Sequence, residues 1–215
     1  MSVIRVDCIC TSTCMSAEGA LPPPVPLFEV FGVTNTSYLR RMVGEVYVNG
    51  TWRLAENSTV LEYDGDSLAQ EVSNYILASH VNFQIIPLKP MGGFIPSTSN
   101  PSQLLSLSAI NRKLQYYVGQ QIFFSEHTFK DDYQVSYTLY TFDEQTLLNG
   151  TPICDATYLN VPQNLLVELR PLALNITQGL NTTYEKLEAL EDFLKNNYAY
   201  YGNYTRAPPG EDPVL

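Results

Sequence analysis

The chain has 215 residues, 45% of them hydrophobic and 16% charged. That is enough apolar material for a large domain with some structure beside it, and too much for a disordered chain. Twelve Lys and Arg against 22 Asp and Glu give a formal charge of -10, which excludes the basic footprint that a phosphate backbone requires. No run reaches the roughly 18 apolar residues of a membrane span, and the opening MSVIRVDCICTSTCMS is too polar and interrupted for the apolar region of a signal peptide.

Residues 1–25 read as a flexible leader closing in LPPPVP, whose prolines favour extended backbone. Cys8, Cys10 and Cys14 cluster there, and Cys154 stands alone far downstream. Zinc sites prefer paired C-x-x-C knuckles and a fourth ligand, so no metal is expected at these thiols, and the sequence does not choose among the disulfide pairings four cysteines allow.

From Leu27 the pattern becomes one of strands. LFEVFGV alternates apolar and polar positions, and TSYLRRMVGEVYV reads as a long strand. Asn49-Gly50 then joins VYV to TWRL, the strongest short-range hairpin signal, because both positions favour the positive φ of a type I′ turn. Trp52, the only tryptophan, is expected to pack across that hairpin. Further strands are expected in STVLEY, SNYILA, HVNFQIIPL, LQYYV, QIFF and YQVSYTLYTF, the last placing Tyr133, Val135, Tyr137 and Leu139 on one face. PLKPMGGFIPSTSNPSQ, between Pro87 and Gln103, reads as a long breaker-rich loop. Many short strands with turns between them predict an antiparallel β-sandwich, Ig-like in general architecture, over residues 26–157.

After Cys154 the period changes. Leu165, Leu166, Leu169, Leu172, Leu174 and Ile176 fall in a helical pattern between Val161 and Gln178, with Gly179 as its stop and Pro171 as either a kink or the helix start. Thr182 and Glu185 form a capping box opening a second helix, with Tyr184, Leu187, Leu190 and Leu194 on one face and Glu188, Glu191 and Lys195 toward water. NNYAYYGNY reads as a short strand and RAPPGEDP as a rigid turn. The expected fold is therefore mainly β with C-terminal α: a sandwich, then two helices and a short strand over 158–215.

Asn35, Asn49, Asn57, Asn149, Asn175, Asn181 and Asn203 each begin an N-x-S/T triplet. Random placement of the same residues would give about two such acceptor motifs. The excess favours an extracellular or cell-surface protein carrying N-glycans, with its signal or anchor outside this chain. Cys154 with His127 and one of Asp131, Asp132 or Asp155 makes a poor nucleophile triad, because nothing local activates the thiol. His80 and His127 read as strand-end or turn residues rather than general bases.

Leu159 to Pro162, Ala173, Ile176, TTYEKLEALEDFL from Thr182 to Leu194, Tyr198, Tyr200, and PPGEDPV from Pro208 to Val214 together resemble the start of a transglutaminase-like domain, the papain-fold cysteine enzymes. Upstream, YLRRMVGEVYVNGTWR and QIIPLKPMGGFIPSTS resemble the β-rich domain that precedes such a core. The resemblance implies a nucleophilic Cys, a His base and an orienting Asp beyond Val214. No position here matches them, so the chain is expected to hold no catalytic, cofactor or metal residues and to be a fragment ending before the active site. The implied partners are the remainder of the catalytic domain and cell-envelope protein or glycan. Two other readings stand beside this one: a glycosylated extracellular structural or interaction module, and a small-molecule or sugar binder built on the Pro87–Gln103 loop and neighbouring tyrosines.

Overall fold

The computed structural model describes residues 3–6, 26–32, 39–56, 58–68, 77–106, 114–152, 156–198, 212 and 214. Their contacts divide into two units. One contains the described residues of Pro22–Val43 and Glu56–Thr141 together with the first strand, and the other those of Gly44–Ala55 and Phe142–Leu215.

The first unit is an antiparallel β-sandwich. Its five-stranded sheet runs in the order β1 (Val3–Val6), β2 (Phe28–Phe31), β6 (Leu77–Pro87), β11 (Tyr133–Thr141), β8 (Pro101–Ser106). The four-stranded sheet runs β5 (Val60–Tyr63), β9 (Leu114–Tyr117), β10 (Ile122–Phe129), β7 (Met91–Ile95). Alternation drives this arrangement, since every second residue of an antiparallel strand faces the opposing sheet. Phe28, Val30, Phe83, Ile85, Leu104, Tyr133 and Val135 from one sheet close on Tyr63, Ile95, Tyr116, Phe123 and Phe129 from the other.

Rings carry much of that core. Phe123 meets Tyr63 edge-on at 5.0 Å between centroids and Tyr116 at 4.9 Å, and Phe129 meets Tyr133 at 6.0 Å from the opposite sheet. Two buried phenols find backbone partners, as burial requires: Tyr133 donates to Pro96 O at 2.9 Å, and Tyr63 accepts from Leu104 N–H at 2.8 Å while donating to Leu104 O at 3.2 Å. The second pair ties β5 to β8 across the two sheets.

Two sheet edges are covered by chain. Arg40 forms an isolated antiparallel bridge with Ser97, and Arg41 Nε donates to Phe94 O at 2.9 Å, so the adjacent arginines close the outer side of β7. On the far edge of the other sheet, Leu68 N–H donates to Ser102 O at 2.8 Å and Gln103 Nε2 to Gly65 O at 2.8 Å. Such coverage withdraws backbone donors and acceptors from intermolecular pairing.

Several expectations change. Within the supposed leader, Val3–Val6 forms β1, antiparallel to β2, because VIRV is β-branched at three of its four positions. The expected long strand through TSYLRRMVGEVYV is strand only at Val46–Val48 among its described residues, apart from the Arg40 bridge. SNYILA and HVNFQIIPL contribute to one strand, β6, whose pairing with β11 runs unbroken from Tyr133↔Ile85 to Thr141↔Leu77. About half of Pro87–Gln103 is strand, in Met91–Ile95 and the start of β8, and Pro96, Ser97 and Thr98 are buried. Tyr133, Val135 and Tyr137 pack on the core as expected, but Leu139 is exposed: β8 ends opposite Tyr137, and the β6–β11 pair continues past the buried cluster.

The second unit holds the hairpin β3 (Val46–Val48) and β4 (Thr51–Arg53) together with four helices: α1 (Glu144–Leu148), α2 (Ala156–Leu159), α3 (Gln163–Ile176) and α4 (Thr183–Asn197). Asn49 and Gly50 both have positive φ, 49° and 75°, as the predicted turn requires. Pro171 lies inside α3 rather than at its start, and Gly179, at φ 80°, follows the helix end. Helix α4 opens with the predicted capping box: Glu185 N–H donates to Thr182 Oγ1 at 3.2 Å, and Thr182 N–H donates to Glu185 Oε2 at 2.8 Å. The expected strand in NNYAYYGNY lies outside the described residues beyond Tyr198.

Candidate functional site

In the sandwich, no described cluster gathers chemistry-bearing side chains. His127 is exposed on β10, His80 Nδ1 lies 3.4 Å from Thr138 Oγ1, and Asp132 Oδ2 accepts from Gln84 Nε2 at 3.4 Å. Cys8, Cys10, Cys14, Cys154 and Asp155 lie outside the described residues. Within the Pro87–Gln103 stretch, Pro96, Ser97, Thr98 and Pro101 are buried, while Leu88, Lys89, Pro90 and Ser99 are exposed.

The richest polar constellation lies in the second unit, on the hairpin. Register pairs Tyr47 with Trp52 across β3 and β4, and their rings meet edge-on at 5.1 Å. Trp52 remains 45% exposed while Tyr47 is buried. Glu45, two residues before Tyr47 and on the same face, is also buried. Its backbone N–H continues the ladder to Arg53 O at 2.8 Å. The carboxylate accepts from Ala55 N–H at 2.9 Å and from the Tyr158 hydroxyl of α2 at 3.0 Å. A buried carboxylate is tolerable only with such donors.

Tyr47 reaches the other end of the chain. Its hydroxyl donates to Asp212 Oδ1 at 2.5 Å, and the same oxygen accepts from Val214 N–H at 3.0 Å. Burial first, then this hydrogen bond and the carboxylate's charge, push the Tyr47 phenol up to about 12. A neutral, donating phenol is thereby held against an acceptor. In the sequence, Tyr47 belongs to the hairpin and Asp212 to PPGEDPV, two stretches with no pattern in common. The signal that could have joined them is the buried side of an amphipathic hairpin carrying both an acid and a phenol, which demand partners from elsewhere in the chain.

The helices present a different surface. Leu165 is the buried residue of α3, and neither α1 nor α4 buries a residue. On α4 the covered strip is Tyr184, Ala189, Leu190 and Phe193, all half-buried, whereas Leu187 is 61% and Leu194 56% exposed. The apolar face expected from Tyr184 to Leu194 is thus split. Val167 and Leu174 on α3, with Leu159 on α2, are exposed as well.

Of the sequon asparagines, Asn49, Asn149, Asn175 and Asn181 are exposed, while Asn35, Asn57 and Asn203 lie outside the described residues. Asn49 sits at the hairpin turn and Asn149 at the C-cap of α1, where its Nδ2 donates to Gln145 O at 2.7 Å. Asn175 is in the last turn of α3, and Asn181 immediately precedes the N-cap of α4.

No family model, curated protein or solved structure matches the chain.

Proposed function

We propose that this chain is the non-catalytic accessory portion of a cell-surface transglutaminase-like protein, in which the sandwich and the helical unit support an active site lying outside it. The observation that carries this reading is the contrast between the two units. The sandwich closes a core of buried rings and aliphatics, whereas α3 buries only Leu165 and α4 nothing, leaving Leu187, Leu194, Val167 and Leu174 in water. Exposed leucines on successive helices are what one layer of a larger core presents before its covering layer is added. The partner in this reading is the remainder of the catalytic domain, which would bring the thiol, its base and its orienting acid. Thiol-dependent acyl transfer or peptide hydrolysis is expected from the chain extended by that domain. Activity from residues 1–215 alone would overturn the reading.

The four exposed sequons support a second reading, a glycosylated extracellular structural or interaction module. Expression through a eukaryotic secretory route, followed by enzymatic deglycosylation and a size measurement, separates the two. Glycan-bearing reversible assemblies support the module, and a monomer that gains activity only on extension supports the accessory role.

A further inference from the structure

Glu45 and Tyr47 present complementary requirements on one face of the hairpin. Glu45, as a carboxylate, offers only acceptors and takes a phenol from α2. Tyr47 offers a donor and takes a carboxylate from Asp212. The two partners are not interchangeable. Exchanging them would set Glu45 against Asp212, acid on acid, and Tyr47 against Tyr158.

We propose that the Gly44–Ala55 hairpin is a two-point clasp that holds α2 and the Asp212 turn in one fixed register, a positioning device built from segments 113 and 165 residues away from their hairpin partners. Supporting contacts stiffen it. The Trp52 ring packs on Tyr47, Ala55 N–H anchors Glu45, and the Asp212 Oδ1 engaged by Tyr47 simultaneously accepts from Val214 N–H. The clasp stands on the hairpin's own geometry, independent of the transglutaminase-like reading.

Trp52, as the only tryptophan, reports directly on the Tyr47 half of the clasp. The test is a double-mutant cycle on the full chain with Tyr47→Phe, Asp212→Ala and their combination, followed by Trp52 emission and site-resolved amide exchange. Tyr47→Phe keeps the ring against Trp52 and does not touch Val214. It is nevertheless expected to raise exchange at Val214 N–H by about tenfold, the scale of losing a hydrogen bond to a charged group. Asp212→Ala is expected to shift Trp52 emission as Tyr47→Phe does, with the double variant no further shifted than either single one. Tyr158→Phe should leave Val214 unaffected. Unchanged Val214 exchange in Tyr47→Phe, or additive effects in the double variant, would overturn the clasp. If Tyr47→Phe loses helical ellipticity as well, the decision rests on Asp212→Ala, whose half-exposed side chain can be removed without opening a core.

Discussion

Gly44 and Trp52 approach so closely that a methyl group on Gly44 would stand 2.5 Å from Trp52 Cβ. The obstacle is the root of a side chain held in the hairpin, not the free end of a flexible one, so it cannot swing aside. Gly44→Ala should therefore displace Trp52 or part the strands, at a cost of about 1–3 kcal/mol as for other overpacked sites. Lower thermal stability of the helical unit and an altered Trp52 emission maximum would show it. An unaltered emission spectrum with native stability would contradict the close approach.

The Thr182–Glu185 box predicts an acid response of α4. Glu185 is held below the usual carboxylate range by the hydrogen bonds from the Thr182 backbone and hydroxyl. A depressed folded-state value means its stabilisation is present above the unfolded value of 4.5 and is lost as pH falls through the lower folded one. Helical ellipticity should thus decline in that acid window, and Glu185→Gln should flatten the decline. Thr182→Ala removes the other half of the box and should cost about 1 kcal/mol of helix stability at neutral pH.

Tyrosine ionisation supplies the opposite limb. Burial raises Tyr47 and Tyr116 to about 12, in Tyr47 with help from the Asp212 hydrogen bond and charge. Since the fold favours the neutral phenol, this contribution is complete below the ordinary value of 10 and is lost as pH climbs through about 12. Absorbance near 295 nm, which follows phenolate, should show a late step. Tyr47→Phe and Tyr116→Phe should each remove one phenol from it.

Substitutions in the two units should behave oppositely. Phe123→Ala opens a cavity among Tyr63, Tyr116 and the facing sheet and should cost about 3–5 kcal/mol. Leu187→Ser, at an exposed site, should change stability by no more than about 0.5 kcal/mol and should reduce any self-association seen by light scattering. A large loss from Leu187→Ser would mean that its face is already covered.

The parts of this fold readable from sequence are those governed by local geometry. Asn49-Gly50 needs only two residues to specify a turn, Thr182 and Glu185 only one helical turn, and Tyr133-Val135-Tyr137 only the period of a strand. Leu139 escaped that reading because its exposure depends on where a different strand, β8, ends. Pro87–Gln103 differs from that reading for a related reason: its prolines and glycines suggest a loop, but Gly93, at φ 70°, is accommodated within β7, and Pro87, Pro96 and Pro101 are buried by the sandwich. Helix α1 is capped by Asp143, which accepts from Thr146 N–H at 2.6 Å, but its five residues are too few to display a helical period in the sequence. For the Glu45–Tyr158 and Tyr47–Asp212 pairs the sequence signals only that a buried acid and phenol need partners; no periodicity names residues so far apart.

The route of the backbone gives the hairpin a history. The chain leaves the sandwich unit at Gly44, returns to it at Glu56 and leaves again at Phe142. Synthesis at about 5–20 residues per second separates Tyr47 from Asp212 by on the order of ten seconds, and within that interval β5 to β11 emerge from the ribosome. The hairpin is thus an early-made part that waits, its Tyr47 and Glu45 completed only when Asp212 and Tyr158 arrive. The sandwich can close meanwhile, so the Tyr47–Asp212 bond is a late one, an aspartate meeting a phenol made long before it.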